Sequence, residues 1–297
     1  MAEITRAGIY DIPAAEYHRD PIPGGSLSAS GVKKLMPPSC PALFKAWRDG
    51  GSEHKEAFDF GRAAHTRVLG VGDPVVVIEA DDWRSARARA QRDEAYEAGH
   101  TPILAKDDAV IEAMAAKLRE HPIASALLDP DSGKPEQAIV WRDPETGVWC
   151  RALVDFLRRP VPGSRYLCPD YKTATKVDPE SIQKALWEYG YYGAAAWYSE
   201  AVQAVGLTAE PPAFLLIFQM KTAPYLVVVA QVDPDSVGWG HARNRYARDL
   251  YRRCVETDTW PGYADDQVIP VQLPAYATYQ LEGALRRGEL DPEGARA

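Results

Sequence analysis

Long apolar runs are missing from this chain. Its uninterrupted stretches, such as Leu226–Ala230, fall far short of the roughly 20 residues that a membrane-spanning helix needs, which argues against a helical membrane protein. Cysteine is sparse as well: Cys40, Cys150, Cys168 and Cys254 stand apart with no C-x-x-C pair, so neither a zinc ribbon nor a dense disulfide framework is expected. Positive charge is not in excess. Lys plus Arg total 34 against 42 Asp plus Glu, a net charge of −8, so the long-range field of a typical nucleic-acid binder is absent and any DNA contact must use local basic patches. No internal repeat or low-complexity block is visible. Met1–Asp11 carries Glu3, Arg6 and Asp11 where a secretory signal would be basic and then apolar, and the expectation is a cytoplasmic protein. What is present, 46% hydrophobic and 26% charged residues over 297 positions, suffices for one sizeable core or two small ones.

Ser28 is placed to cap a helix whose apolar face is Val32, Leu35 and Met36 and whose exposed side carries Lys33 and Lys34, before Pro37-Pro38 stops it. A second helix is expected over 58–69, with His65 in its middle. An Arg-rich stretch, Trp83 to Arg92, and a helix with Val110, Met114 and Leu118 at four-residue intervals suggest a helical insertion at about 80–130. Two β-rich runs, Glu136–Arg142 and Val148–Arg158, flank Asp143-Pro-Glu-Thr-Gly147 and read as a hairpin. Alternation puts Val148, Cys150, Ala152, Val154 and Phe156 on one face and leaves Asp155 on the other, where a carboxylate needs solvent or a partner. A strand over Arg165–Lys172 follows, then one long helix from the Asp178 cap and Pro179 to about Gly206. A second apolar hairpin (Phe214–Met220, Tyr225–Val232) and a closing Arg-rich helix from about Asp235 to Val255 complete the order, which describes an α/β or α+β domain with helices on a mixed central sheet.

Asp170-Tyr171-Lys172 alone is weak evidence for chemistry, since Glu53-His54-Lys55 gives a similar E-x-K triplet in a Gly/Ser-rich stretch. Context separates them. Asp170 lies 15 residues after Asp155, which lies 19 after Glu136, each on a predicted strand, so three acids and a lysine can converge. Asp170 and Lys172 would point the same way, about 7 Å apart along the backbone. Hard oxygen ligands of this kind suit Mg²⁺ in phosphodiester hydrolysis, with a lysine to orient water and stabilise developing charge. A plain salt-bridge cluster between strands is the competing reading.

Phe60-Gly-Arg-Ala-Ala-His65, Glu136, Thr146-Gly-Val-Trp-Cys-Arg-Ala-Leu-Val-Asp155 and Asp170-Tyr-Lys-Thr173 together resemble the RecE (exonuclease VIII) branch of the PD-(D/E)XK nucleases, related to lambda exonuclease and the RecB nuclease domain. The resemblance extends from about Tyr17 to Tyr263 and includes Leu27-Ser-Ala-Ser-Gly31, Tyr189-Gly-Tyr191 to Tyr198, and Trp260-Pro-Gly-Tyr263. It implies a restriction-endonuclease-like core over 1–279, with 280–297 a polar tail. It implies His65 and Asp155 as metal ligands, Asp170 as the central carboxylate, a backbone carbonyl from Tyr171, Lys172 as the catalytic lysine and Glu136 as an auxiliary acid. The implied cofactor is Mg²⁺, with Mn²⁺ able to substitute. The implied reaction is digestion of linear double-stranded DNA from an end, 5′ to 3′, leaving 3′ single strands for recombination. The implied setting is phage or prophage in a bacterial host, with a ring-shaped homo-oligomer and a RecT-like annealing partner.

The family's Gln-x-x-x-Tyr pattern reads Ala194 to Tyr198 here, and Met220 and Lys221 stand where a glutamate is usual. Those departures motivate a second reading, a catalytically impaired DNA-binding or assembly module. A third is a RecB-like nuclease of CRISPR adaptation or repair, although the cysteines do not cluster as an iron–sulfur site would require. Lys33, Lys34, Arg62, Arg67 and Tyr198 are the candidate DNA contacts, joined by Lys45 and the Arg84–Arg92 run.

Overall fold

The computed structural model describes residues 3–50 and 58–291; the Glu53-His54-Lys55 triplet lies outside them. The chain divides into two compact units, Met1–Trp260 and Pro261–Ala297.

The larger unit begins with β1 (Gly8–Tyr10), α1 (Ala14–His18) and β2 (Leu27–Ser28), which runs directly into α2 (Ala29–Leu35). The Ser28 hydroxyl accepts from the Gly31 N–H at 3.1 Å, the cap that the sequence predicts. Next come α3 (Pro41–Gly50) and α4 (Asp59–Leu69), the latter ended by Gly70 in the left-handed region. The stretch expected as a helical insertion at about 80–130 also holds one strand, Thr101–Leu104, which pairs with a strand just before it. β3 (Val75–Ile78), α5 (Ala86–Glu97), β4 (Thr101–Leu104), α6 (Ala105–Glu120) and α7 (Pro122–Leu127) follow in order, with β3 and β4 paired in parallel.

The expected hairpin is β5 (Gly133–Arg142) and β6 (Trp149–Arg158), antiparallel, with Ile139 opposite Ala152 and Trp141 opposite Cys150. Then come β7 (Leu167–Ala174), α8 (Pro179–Glu188), α9 (Tyr191–Ala204), β8 (Ala213–Met220), β9 (Val227–Gln231) and α10 (Pro234–Thr257). Asp178 caps α8 by accepting from the Ser181 N–H. The single long helix expected after it is instead two, because Gly190 takes a left-handed φ of 67° and turns the chain between α8 and α9. In the smaller unit α11 (Ala275–Arg286) follows Pro274, and the boundary drawn at 279 falls inside that helix.

Strand order is β1-β5-β6-β2 in one sheet and β7-β8-β9 in another. β7 and β8 are parallel and joined through α8 and α9, the crossover that parallel neighbours require. β8 reads Ala-Phe-Leu-Leu-Ile-Phe-Gln-Met because both its faces are covered. On one side Phe214, Leu216 and Phe218 join Cys150, Ala152 and Val154 of β6 and meet Val32 and Leu35 of α2, Trp197 of α9 and Ala247 of α10. On the other, Tyr171 and Ile217 pack against Ala63 and Ala64 of α4 and Ile111 and Leu118 of α6. Trp197 is fully buried and donates its indole N–H to the Arg151 carbonyl at 2.9 Å. β6 and β7 lie side by side without a continuous ladder. They are stitched by the Tyr166 hydroxyl on the Arg158 carbonyl and by the Tyr171 N–H on the Asp155 carboxylate, both 2.7 Å. No helix among the described residues is long and apolar enough to cross a membrane.

Candidate active site

The join between β6 and β7 gathers the acidic residues. Asp155 projects from β6 on the face opposite its buried apolar residues, and its Oδ2 takes the hydrogen bond that a neighbouring backbone carbonyl would otherwise accept from Tyr171. His65 Nε2 approaches the same Oδ2 at 3.1 Å from α4, and His65 Nδ1 stands 3.3 Å from Glu136 Oε1. Glu136 faces Asp155 across the hairpin, between the Pro135–Phe156 and Gln137–Val154 pairs, with a φ of 45° that a residue with a side chain seldom adopts. Backbone strain at that position aims a carboxylate at His65.

Lys172 closes the group from β7. Its Nζ is 2.6 Å from Asp170 Oδ2, 3.6 Å from Asp155 Oδ2, and donates to the Tyr171 carbonyl at 3.2 Å. The Tyr191 ring of α9 lies 5.9 Å from that ammonium. The backbone of Tyr171 is held by its own side chain: the buried hydroxyl donates to Gln219 Oε1 at 2.7 Å, and Gln219 Nε2 donates to the Met114 carbonyl. Gln219 and Tyr191 are absent from the sequence-derived site. The one available signal for Gln219 was an amide in an otherwise apolar strand, which must be satisfied once buried.

Electrostatics follow from burial and pairing. Burial pushes Asp170 up, the Asp155 charge pushes it further, and Lys172 only partly opposes them, leaving its carboxyl at about 6. Burial acts the same way on Asp155, but Lys172, His65 and the Tyr171 N–H outweigh it and hold that carboxyl well below the usual range. Burial alone would lower His65; Asp155 and Glu136 reverse this and raise the imidazole to about 10. Burial likewise works against the Lys172 charge, and the two aspartates overcome it, lifting the amine above the ordinary lysine value.

Two carboxylates, a backbone carbonyl and an imidazole are a donor set suited to a hard divalent cation. Among the described residues no three His, Cys, Asp or Glu side chains already surround one point. Yet three of the expected donors, Asp155, Asp170 and the Tyr171 carbonyl, converge on a single positive centre, the Lys172 ammonium. The residues therefore fit a cation, and the lysine is the charge they now enclose.

Beside His65 a cleft of about 590 Å³ opens, lined among others by His18, Arg62, His65, His100 and Glu136. Arg62 lies 3.7 Å from Asp59, whose carboxylate also accepts from Tyr96. The other candidate DNA contacts separate. Arg67 is engaged by Asp108 at 2.7 Å and Glu112 at 2.9 Å on α6. Tyr198 stacks on Phe214 at 5.9 Å against the core, one helical turn beyond Ala194. Lys45 pairs with Asp49. Lys33 and Lys34 are exposed on α2, with Lys33 Nζ donating to the Tyr189 carbonyl at 3.2 Å. Lys221, at the place of the missing glutamate, lies 5.4 Å from the Phe60 ring.

Residues 28–267 match the family described as a PDDEXK-like domain of unknown function (DUF3799). Comparison with curated protein sequences finds no match. Among solved structures, a crystal structure described as a "putative exonuclease" from Eubacterium rectale superposes with a TM-score of 0.61 at 13% identity, over 91% of this chain and 98% of that one. At that identity the likeness establishes the shared fold.

Proposed function

Because the chain belongs to the PDDEXK-like family, we propose that it is a Mg²⁺-dependent exodeoxyribonuclease that degrades linear double-stranded DNA from an end. The observation that carries the reading is the convergence of Asp155, Asp170 and the Tyr171 carbonyl on one positive centre where β6 meets β7. Asp155, Asp170, Tyr171 and His65 would hold the metal, which when bound polarises the phosphoryl oxygens and lowers the pKa of a bound water. Lys172 supplies a second, fixed positive charge to the developing phosphorane and a proton donor to an oxygen at the reacting centre. Glu136, within reach of His65, keeps the imidazole oriented. Mn²⁺, another oxygen-seeking divalent cation, would substitute. The resemblance to the RecE branch supports 5′ to 3′ polarity, 3′ single strands as product, a homo-oligomeric ring and a RecT-like partner in phage-type recombination.

Digestion of linear and covalently closed duplex DNA with Mg²⁺, using 5′- and 3′-marked ends, tests this. Linear DNA alone is expected to disappear, with the 5′ label released first, and Lys172→Ala and Asp170→Ala are each expected to lower the rate by about 10²–10³-fold or more. Cutting of closed circles would mean an endonuclease instead. DNA binding without cleavage would favour the second reading that Ala194 motivates, a module that kept the fold and lost the reaction.

A further inference from the structure

We propose that the aromatic and basic side chains around the break between α8 and α9 form a track that binds single-stranded DNA, stacking unpaired bases of the strand that enters or leaves the candidate site. The placement of this track rests on the nuclease reading above, and it adds a substrate form and a set of residues to it.

The rings form two pairs around the break between the helices, the first of which starts at the candidate catalytic lysine. Tyr191 lies 5.9 Å from Lys172 Nζ, and Tyr189 follows with its ring centre 5.6 Å from that of Tyr191. Lys33 Nζ is 5.6 Å from the Tyr189 ring. Arg243, reaching over from α10, lies 6.0 Å from Tyr192. Tyr192 in turn stacks on Trp187 at 5.9 Å with the planes only 10° apart. The outer members are open to solvent: Trp187 is 75% exposed and Tyr189 56%. Stacked on Tyr192, the exposed Trp187 ring offers a flat apolar face on which a base can lie. The left-handed turn at Gly190 separates the two helices and leaves Tyr189 at the C-cap of α8.

Charge narrows the partner. Among the described residues no carboxylate pairs with Lys33, Lys34 or Arg243, whereas Arg67, Lys45 and Arg252 are each engaged by acids. Partial burial lowers the Lys33 pKa first, and Arg243 and Lys34 add to it, so the three cations share one field. A cluster of uncompensated cations on a protein of net charge −8 suits a polyanion. Interleaved rings suit one whose bases are free to stack, which in duplex DNA they are not.

Fluorescence anisotropy with a labelled oligo-dT and a blunt duplex of equal length, in EDTA so that nothing is cut, tests the track. Trp187→Ala and Tyr189→Ala are each expected to weaken oligo-dT binding about tenfold or more, with Trp187→Phe and Tyr189→Phe retaining it and all four variants unfolding at the wild-type temperature. Oligo-dT binding that is absent in the wild type, or unchanged in both alanine variants, would overturn the proposal. The two readings fail separately. If Lys172→Ala abolishes cleavage while the alanine variants bind oligo-dT normally, the nuclease stands and the track falls; if those variants lose the oligonucleotide and the wild type never cuts, the reverse holds.

Discussion

Lys172 sits where three oxygens meet, and His65 is shared by two carboxylates. Both facts bear on how a divalent cation would be taken up. His65 holds its proton up to about pH 10 because Asp155 and Glu136 together outweigh its burial, and an imidazole must shed its proton to ligate a metal. Uptake of Mn²⁺ at pH 7.5 is therefore expected to release about one proton, read by calorimetry as an enthalpy that varies with the ionisation enthalpy of the buffer. Affinity should climb with pH across neutrality, since the proton competes less as pH approaches the His65 value. An enthalpy independent of buffer would remove His65 from the ligand set. Asp155, Asp170 and Lys172 were readable from strand alternation and spacing, because a charged residue on a strand face needs a partner and the nearest neighbours are only strands away. Glu136 entered the same way, as the third acid on a predicted strand, whereas His65 was not readable from spacing: the imidazole meets Asp155 across 90 positions of chain, and only the family resemblance singled it out. The positive φ of Glu136 leaves no trace in residue type, since glutamate has no special tolerance for it.

Helices α9 and α10 pack closely enough that a methyl group on Gly240 would run into the Tyr192 carbonyl and lie 2.8 Å from the Ala196 Cβ. Gly238, two positions away on the same helix, has open space around it. The pair separates packing from propensity. Gly238→Ala is expected to raise stability by up to about 1 kcal/mol through helix propensity. Gly240→Ala is expected to lower it by about 1–3 kcal/mol because overpacking exceeds that gain. Thermal unfolding of the two variants should move in opposite directions, and a shared direction would mean that the helices do not press together at Gly240. Other features of these elements divide along similar lines. The two hairpins and the Ser28 and Asp178 caps were legible because alternation and capping act over a few residues. β3 and β4 were not, because Val75–Ile78 is too short to show a period and β4 contains Pro102. The turn at Gly190 was hidden because alanines and tyrosines keep a helical pattern after it, and one glycine within such a pattern is commonly tolerated.

An acidic protein that binds DNA must do so through a few unmasked cations, and its salt response should reveal which. Replacing both Lys33 and Lys34 by alanine is expected to flatten the dependence of log affinity on log salt by about 1–2, close to one unit for each phosphate that is no longer neutralised. Arg67→Ala should leave that slope alone, because Asp108 and Glu112 already absorb its charge. Binding isotherms from low to moderate salt distinguish the two, and equal slopes for the lysine variant and the wild type would take α2 out of the DNA surface. The stitch between the two sheets shares an atom with the candidate site. Asp155 Oδ2 is the acceptor that ties β7 to β6 and also one of the oxygens offered to a cation. With the metal held as proposed, the chemistry would lie in a suture of the architecture: an alteration that blunts this carboxylate would also loosen the closure, and occupancy of the site would become a load borne by the sheet. A lineage that drifted away from catalysis would still have a mechanical reason to retain the acid.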